Sequence, residues 1–274
     1  TIRLAQLGFM PSDKRPLLDG LNLSDTWRNI INRFPAGMLV YSHRHQGHLT
    51  YLSGRSIQGK KHYNPPRDLA GEKQPYFNHC YHEESGPVVV VEGQADAITF
   101  GEWGLPAIAI AGMTASDVLL ERLKRHERVF VALDNTGDAA TQSRVIAQAL
   151  GGRAYLPQLP DGVKDANEWL ARDSATLEDA AHLLNTAPSW LLAEVDRAGS
   201  LEGLAREDAI RDLFGHLDGL DTFLLARVKE AMGKIGVKAR VFNEMVKMAS
   251  GEDREGDDAM AEVFDDRIPV VSPA

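Results

Sequence analysis

Two stretches of the chain end an apolar run on a carboxylate. "PVVVVEG" leads through four valines to Glu92 and Gly93, and "RVFVALD" leads through a similar run to Asp134. Short, continuously apolar runs of this kind are typical of strands buried on both faces of a parallel sheet. A carboxylate placed directly after such a strand stands at the carboxyl edge of the sheet, where open α/β sheets bind their ligands. Two carboxylates at two parallel strand ends look like half of a divalent-metal site. Mg²⁺ takes hard oxygen ligands, keeps several waters and shares substrate phosphates, so a few carboxylates suffice.

The surrounding pattern supplies the elements that would position them. "QADAITFGEWG" reads as a helix stopped at Gly104, "PAIAIAG" as a second strand ending at Gly112, and "SDVLLERLKRH" as a helix capped by Ser116. Residues 138–150 read as a helix after Asp134, and "RAYLPQLP" as a fourth strand. Strands alternating with helices predict a parallel α/β sheet. Upstream, "LSDTWRNIINRF" is a helix capped by Ser24 with Trp27, Ile30, Ile31 and Phe34 at helical spacing. "MLVYSHRHQGHLTYLSGRSI" alternates around Gln46-Gly47, a β-hairpin, and "KKHYNPPRDLAGEKQPYF" is proline-broken and basic, a surface loop. After Lys164 the chain is helical, a small bundle. The organisation expected is a basic α+β region over 1–86, a parallel-sheet domain over 87–170, a helical bundle over 171–250 and an acidic linker or disordered tail over 251–274.

Composition narrows the class. The net charge of −9 does not advertise a nucleic-acid binder, but the charge is uneven. Residues 1–86 carry eleven of the Lys and Arg residues and six of the nine histidines, whereas "SGEDREGDDAMAEVFDD" is strongly acidic. A basic front beside an acidic centre could hold a polyanion and its metal together. The single cysteine, Cys80, precludes an intrachain disulfide framework and fits a reducing cytoplasm. The apolar runs are too short for a membrane span. The chain opens at Thr1 without Met or secretory signal, which suggests a fragment of something longer.

His43, His45, His48, His79, Cys80 and His82 fit no closed tetrahedral zinc pattern, and the hairpin makes His43 and His48 solvent or phosphate neighbours. Tyr51, Tyr63, Tyr76 and Phe77 interleave with Lys60, Lys61, Arg67 and Lys73, a pattern of single-strand stacking grooves, set against the plainer reading of core aromatics and solvated lysines. There is no dinucleotide Gly-x-Gly-x-x-Gly, no Walker loop and no Gly-x-Ser-x-Gly elbow.

Taken in order, "VVEGQADAI" with Asp96, "AGMTAS" with Gly112 and Thr114, Asp134, and "LPDGVKDANEW" with Lys164 and Asp165 resemble the TOPRIM domain of bacterial and phage-type DNA primases. The likeness continues upstream, where "YLSGRSIQGKKHYNPPRD" resembles the basic stretch of the same primases through Arg55, Lys61, Asn64 and Pro65. The resemblance implies that Glu92 is the acid/base or water-mediated ligand and that Asp134 and Asp165 hold Mg²⁺ or Mn²⁺. It further implies that Arg55, Lys60, Lys61, Asn64, Lys73 and Lys164 meet nucleotide or nucleic acid. Two positions depart from the family pattern. The second acid of Asp-x-Asp is Thr136, and the second acid of the later pair is Asn167. Asp138 is either a displaced metal ligand or simply the cap or first-turn acid of its helix. The function implied is synthesis of short RNA primers on single-stranded DNA from NTPs, in the cytoplasm. A replicative helicase in cis or trans is the implied partner, in a phage or mobile-element replication protein. The alternatives are a catalytically impaired TOPRIM binding module and, less favoured, a TOPRIM nuclease.

Overall fold

The computed structural model describes residues 7–249 apart from 21, 60, 83–85, 113 and 218–219. The acidic tail over 251–274 and Lys60 lie outside the described residues. The chain forms two compact units. One comprises Thr1–Ile146 with Pro157–Thr186, the other Ala147–Leu156 with Ala187–Ala274.

The first unit opens with an antiparallel sheet of β1 (Leu7–Phe9), β2 (Met38–His45), β3 (His48–Ser56) and β4 (His62–Tyr63), in that order. The expected hairpin is present, with His45 opposite His48. Gln46 and Gly47 have φ of 49° and 79°, the positive values that tight hairpin turns need to match strand twist. Helices α1 (Arg15–Gly20) and α2 (Asp25–Arg33) precede β2. Ser24 caps α2 as expected, accepting the Trp27 N–H at 3.5 Å. Ile30, Ile31 and Phe34 then fall into one apolar cluster with Met10, Met38, Val40 and Leu52. Gly54 is required there, because a Cβ would lie 2.6 Å from the Phe34 ring.

The stretch expected to be a surface loop is more ordered than its sequence indicates. It contains β4, the one-turn helix α3 (Arg67–Ala70) and β5 (Tyr76–Phe77). None exceeds four residues, so none shows a readable period, and the prolines sit between them rather than within a ladder.

β5 edges the second sheet. Its order in this unit is β5, β7 (Ala107–Ala109), β6 (Val88–Val91), β8 (Val129–Val131), with β6 parallel to both neighbours and β5 antiparallel to β7. Val88–Val91 are at most 2% exposed, as a strand covered on both faces should be. The α/β class and its parallel sheet are therefore borne out. Helices α4 (Gln94–Glu102), α5 (Asp117–Leu123) and α6 (Gly137–Leu150) alternate with the strands. Ser116 caps α5 by accepting the Leu119 N–H, and Gly104, at φ 74°, ends α4. Helices α7 (Ala166–Asp173) and α8 (Leu177–Asn185) complete the unit. Trp103 ties α4 to them, meeting the Trp169 ring at 5.7 Å and donating to the Ala175 carbonyl at 3.0 Å.

The second unit holds β9 (Ala154–Tyr155), which is the ordered part of the expected fourth strand, with α9 (Trp190–Gly199), α10 (Gly203–Phe214), α11 (Thr222–Lys234) and α12 (Ala239–Ala249). Leu191, Val195, Val228, Met232 and Phe242 are buried within it. Among the described residues no helix is long and apolar enough to cross a membrane.

Candidate active site

The parallel register brings the two strand-end carboxylates to one edge. Val88 pairs with Val129 and Val90 with Val131, so β6 and β8 finish side by side, and Glu92 and Asp134 follow them. The Ala111 N–H donates to the Glu92 carbonyl at 3.0 Å and fixes the turn after β6. Gly93 is the N-cap of α4, where a Cβ would lie 2.8 Å from the Asp96 carboxylate and force it to shift. Asp96, in the first turn of α4, is buried and accepts the Asn167 N–H at 3.0 Å.

Asp165 arrives from another direction. It caps α7, accepting the Glu168 N–H at 2.7 Å, and Glu168 in turn accepts the Lys164 N–H at 2.7 Å. The Asn135 N–H donates to the Lys164 carbonyl at 2.6 Å, which ties the loop after β8 to the loop before α7. Lys164 Nζ donates to both Asp134 and Asp165, the latter at 3.0 Å. Glu92, Asp134, Lys164 and Asp165 are thus brought together. Asp138 is not: it is exposed in the first turn of α6. Thr136, where the family pattern has its second acid, caps that helix instead, its Oγ1 accepting the Ala139 N–H at 3.4 Å.

The electrostatics follow from this crowding. Burial and the nearby Asp134 push the Glu92 carboxyl above its ordinary range, with Lys164 opposing. Burial, then Asp165, pushes Asp96 up to about 7. The hydrogen bond to Asp134 holds the Lys164 ammonium well above the usual lysine range.

Next to Glu92 a pocket of about 230 Å³ opens, lined by front-sheet residues Tyr41, Ser53 and His62, by Asn64 just after β4, by Lys73, and by Gln94 and Gly112 among others. Asn64 and Lys73 are therefore placed with Glu92. Arg55 and Lys61 are exposed on and just after β3, Arg55 paired in register with His62. Desolvation lowers the pKa of Lys73, and it lowers that of His62 together with the charges of Arg55 and Lys73.

Two expectations need correction. His43 is fully buried rather than a solvent or phosphate neighbour, because alternation along β2 turns it inward with Tyr41. Tyr51 and Tyr76 are 2% and 1% exposed, and Tyr63 packs edge-on against Phe34. These aromatics are core and do not form a stacking face. Gln94 and Ser53 were not anticipated at the site. For Ser53 the signal was the hairpin register, which sets it opposite Tyr41, and for Gln94 its place directly after Glu92-Gly93.

Among the described residues no group of three His, Cys, Asp or Glu side chains stands ready to hold a metal ion. The donor chemistry fits a smaller site. Asp134 and Asp165 both turn an oxygen toward one ammonium, so they mark a cation position that two carboxylates, waters and substrate phosphates could serve. The first ligand of each family acidic pair would then hold the ion, with Glu92 alongside.

Residues 89–170 match the family model for Toprim-like domains. Around this segment, the chain shares its fold with primase catalytic cores. The DnaG primase catalytic domain bound to ssDNA superposes with a TM-score of 0.65 at 17% identity, over 85% of this chain and 83% of that one. The zinc-binding and RNA polymerase domains of Aquifex aeolicus primase give 0.63 at 17% identity, over 88% of this chain. The RNA polymerase domain of Mycobacterium tuberculosis DnaG gives 0.52 at 17%, over 91% of this chain and 86% of that one. The chain spans 65% of the Aquifex structure. No curated protein matches the sequence. The TOPRIM resemblance read from Glu92-Gly93, Asp134 and "LPDGVKDANEW" is thereby borne out, with the matched segment carrying all of the converging acids.

Proposed function

We propose that this chain is the catalytic core of a primase, joining ribonucleotides on a single-stranded DNA template. The observation that carries the reading is the placement of Glu92 at the parallel sheet edge beside Asp134, Lys164 and Asp165, opening on a pocket that Asn64 and Lys73 also line. In the forming bond a 3′-hydroxyl oxygen attacks the α-phosphorus and pyrophosphate leaves. Glu92, its carboxyl raised by burial, takes the proton from that hydroxyl. Lys73 and Lys164 set positive charge against the triphosphate, and Asn64 orients it. Mg²⁺ or Mn²⁺ held by Asp134 and Asp165 would supply charge stabilisation shared with phosphate oxygens. Arg55 and Lys61 extend the basic surface along which template would lie, and Lys60 belongs to the same stretch of sequence.

The fold it shares with a primase domain bound to ssDNA supports the choice of single-stranded DNA as template. A helicase partner in cis or trans, a cytoplasmic location and a phage or mobile-element origin complete the proposal. A binding module without catalysis is the second reading. It is favoured by Thr136 acting as a helix cap and by Lys164 standing in the cation position. Template-directed ribonucleotide incorporation separates the two, because the binding module retains ssDNA but forms no product.

A further inference from the structure

The pocket wall contains a chain of hydrogen bonds whose direction is fixed atom by atom. His43 is fully buried, with its ring edge-on to Tyr51 at 5.3 Å and to Tyr76 at 5.6 Å. Its Nδ1 lies 2.7 Å from the Gln74 carbonyl oxygen and 3.3 Å from that of Pro75. A carbonyl oxygen can only accept, so Nδ1 carries the proton. Burial pushes the pKa of the ring down to about 4, so near neutral pH Nε2 holds a lone pair. Ser53 Oγ lies 2.8 Å from Nε2, and its one hydroxyl proton must go there. The amide of Gln94 meets the same Oγ at 2.9 Å. Ser53 has no second proton to give, so it accepts, and only the NH₂ of Gln94 can face it. Oε1 of Gln94 makes no hydrogen bond with the described residues, and Gln94 lines the pocket together with Ser53 and Lys73.

We propose that Gln94 is a specificity-determining residue that presents a fixed hydrogen-bond acceptor to the ligand, with Ser53 and His43 as the positioning residues behind it. The inference rests on reading the pocket as the nucleotide site. An acceptor held in one orientation selects a ligand group that donates. On a nucleoside triphosphate the candidate donors are the ribose 2′-hydroxyl and the exocyclic amine of the base. A ligand lacking the donor leaves Oε1 desolvated and unpaired, and a built polar site rejects such analogues more strongly than an apolar one does. An amide free to flip would offer NH₂ as readily as oxygen and would not discriminate.

The test measures equilibrium dissociation constants for ATP, 2′-deoxyATP and purine riboside triphosphate, which lacks the amine. Wild type is compared with Gln94→Ala, Ser53→Ala and His43→Phe, each checked for folding by thermal melting. In wild type one analogue should bind roughly tenfold more weakly than ATP, and which one it is identifies the donor. That ratio should fall toward one in Gln94→Ala. It should fall likewise in Ser53→Ala, which keeps the proposal testable if His43→Phe does not fold. Both analogues binding as well as ATP, or a ratio that survives in Gln94→Ala, would overturn the assignment. If ATP does not bind wild type at all, the nucleotide reading of the pocket fails, and this inference fails with it.

Discussion

Replacing His43 by Gln should change how stability depends on pH, and the size of the change follows from the ring's surroundings. Gln can still donate toward the Gln74 carbonyl and accept from Ser53, but it does not titrate. In the folded protein the imidazole resists protonation down to about pH 4, while in the unfolded chain it protonates near 6.5. The folded pKa lies below the unfolded one. As pH falls through 6.5 the unfolded state gains a proton that the folded state does not, and stability is lost. The loss runs from pH 6.5 to about 4 and then stops, because below that both states are protonated. The interval corresponds to about 3 kcal/mol in total, or about 1.4 kcal/mol per pH unit along the slope. Urea denaturation of wild type and His43→Gln between pH 7.5 and 4 reads this as a difference. Other titrating groups, Asp96 among them, are common to both proteins and cancel. The wild type should lose stability relative to the variant as pH falls, by about 3 kcal/mol at pH 4. Parallel pH profiles would mean that the ring is hydrated or charged in the folded state, and the directional argument through Ser53 to Gln94 would collapse with it.

Lys164→Met should raise Mn²⁺ affinity roughly tenfold in the absence of nucleotide, as read by electron paramagnetic resonance titration, because it removes the cation that Asp134 and Asp165 share. The Lys164 side chain is 56% exposed, which keeps the effect well below that of a buried charge; unchanged or weaker binding would show that Lys164 does not compete for the site. Asp138→Ala should leave Mn²⁺ binding intact and cost only about 0.5 kcal/mol as a first-turn acid, and a loss of metal equal to that in Asp134→Ala would make Asp138 a ligand after all. Gly54→Ala should destabilise the first unit by about 1–3 kcal/mol in denaturant titrations, because Phe34 is wholly buried and its ring has no room to retreat.

The sheet and its acids were legible because its parallel strands were short apolar runs, two of them ending on a carboxylate, and a parallel register leaves little choice about where those carboxylates go. Ser24, Ser116 and Gly104 marked helix ends through local capping and backbone chemistry, which acts within a few residues. The segment holding Lys73 and β5 was misread because elements of two to four residues have no period. His43 was misplaced for a different reason. Alternation along β2 puts it on one face with Tyr41, but the covering of that face is decided by Gln74 and Tyr76, which are distant in sequence, and a histidine in a basic hairpin carries no local sign of them. Lys164 was read as a nucleotide contact from its neighbours in sequence. That it also bridges Asp134 and Asp165 depends on the loop-to-loop tie between Asn135 and Lys164, which no spacing reveals.

Incorporation of labelled ribonucleotides on a single-stranded DNA template, with Mg²⁺ or Mn²⁺, tests the central claim most directly. Wild type should yield short template-dependent RNA products, and Glu92→Gln and Asp134→Asn should each abolish them while leaving ssDNA binding in place. Retention of ssDNA by wild type with no product under either ion would contradict the catalytic reading and leave the chain as a binding module.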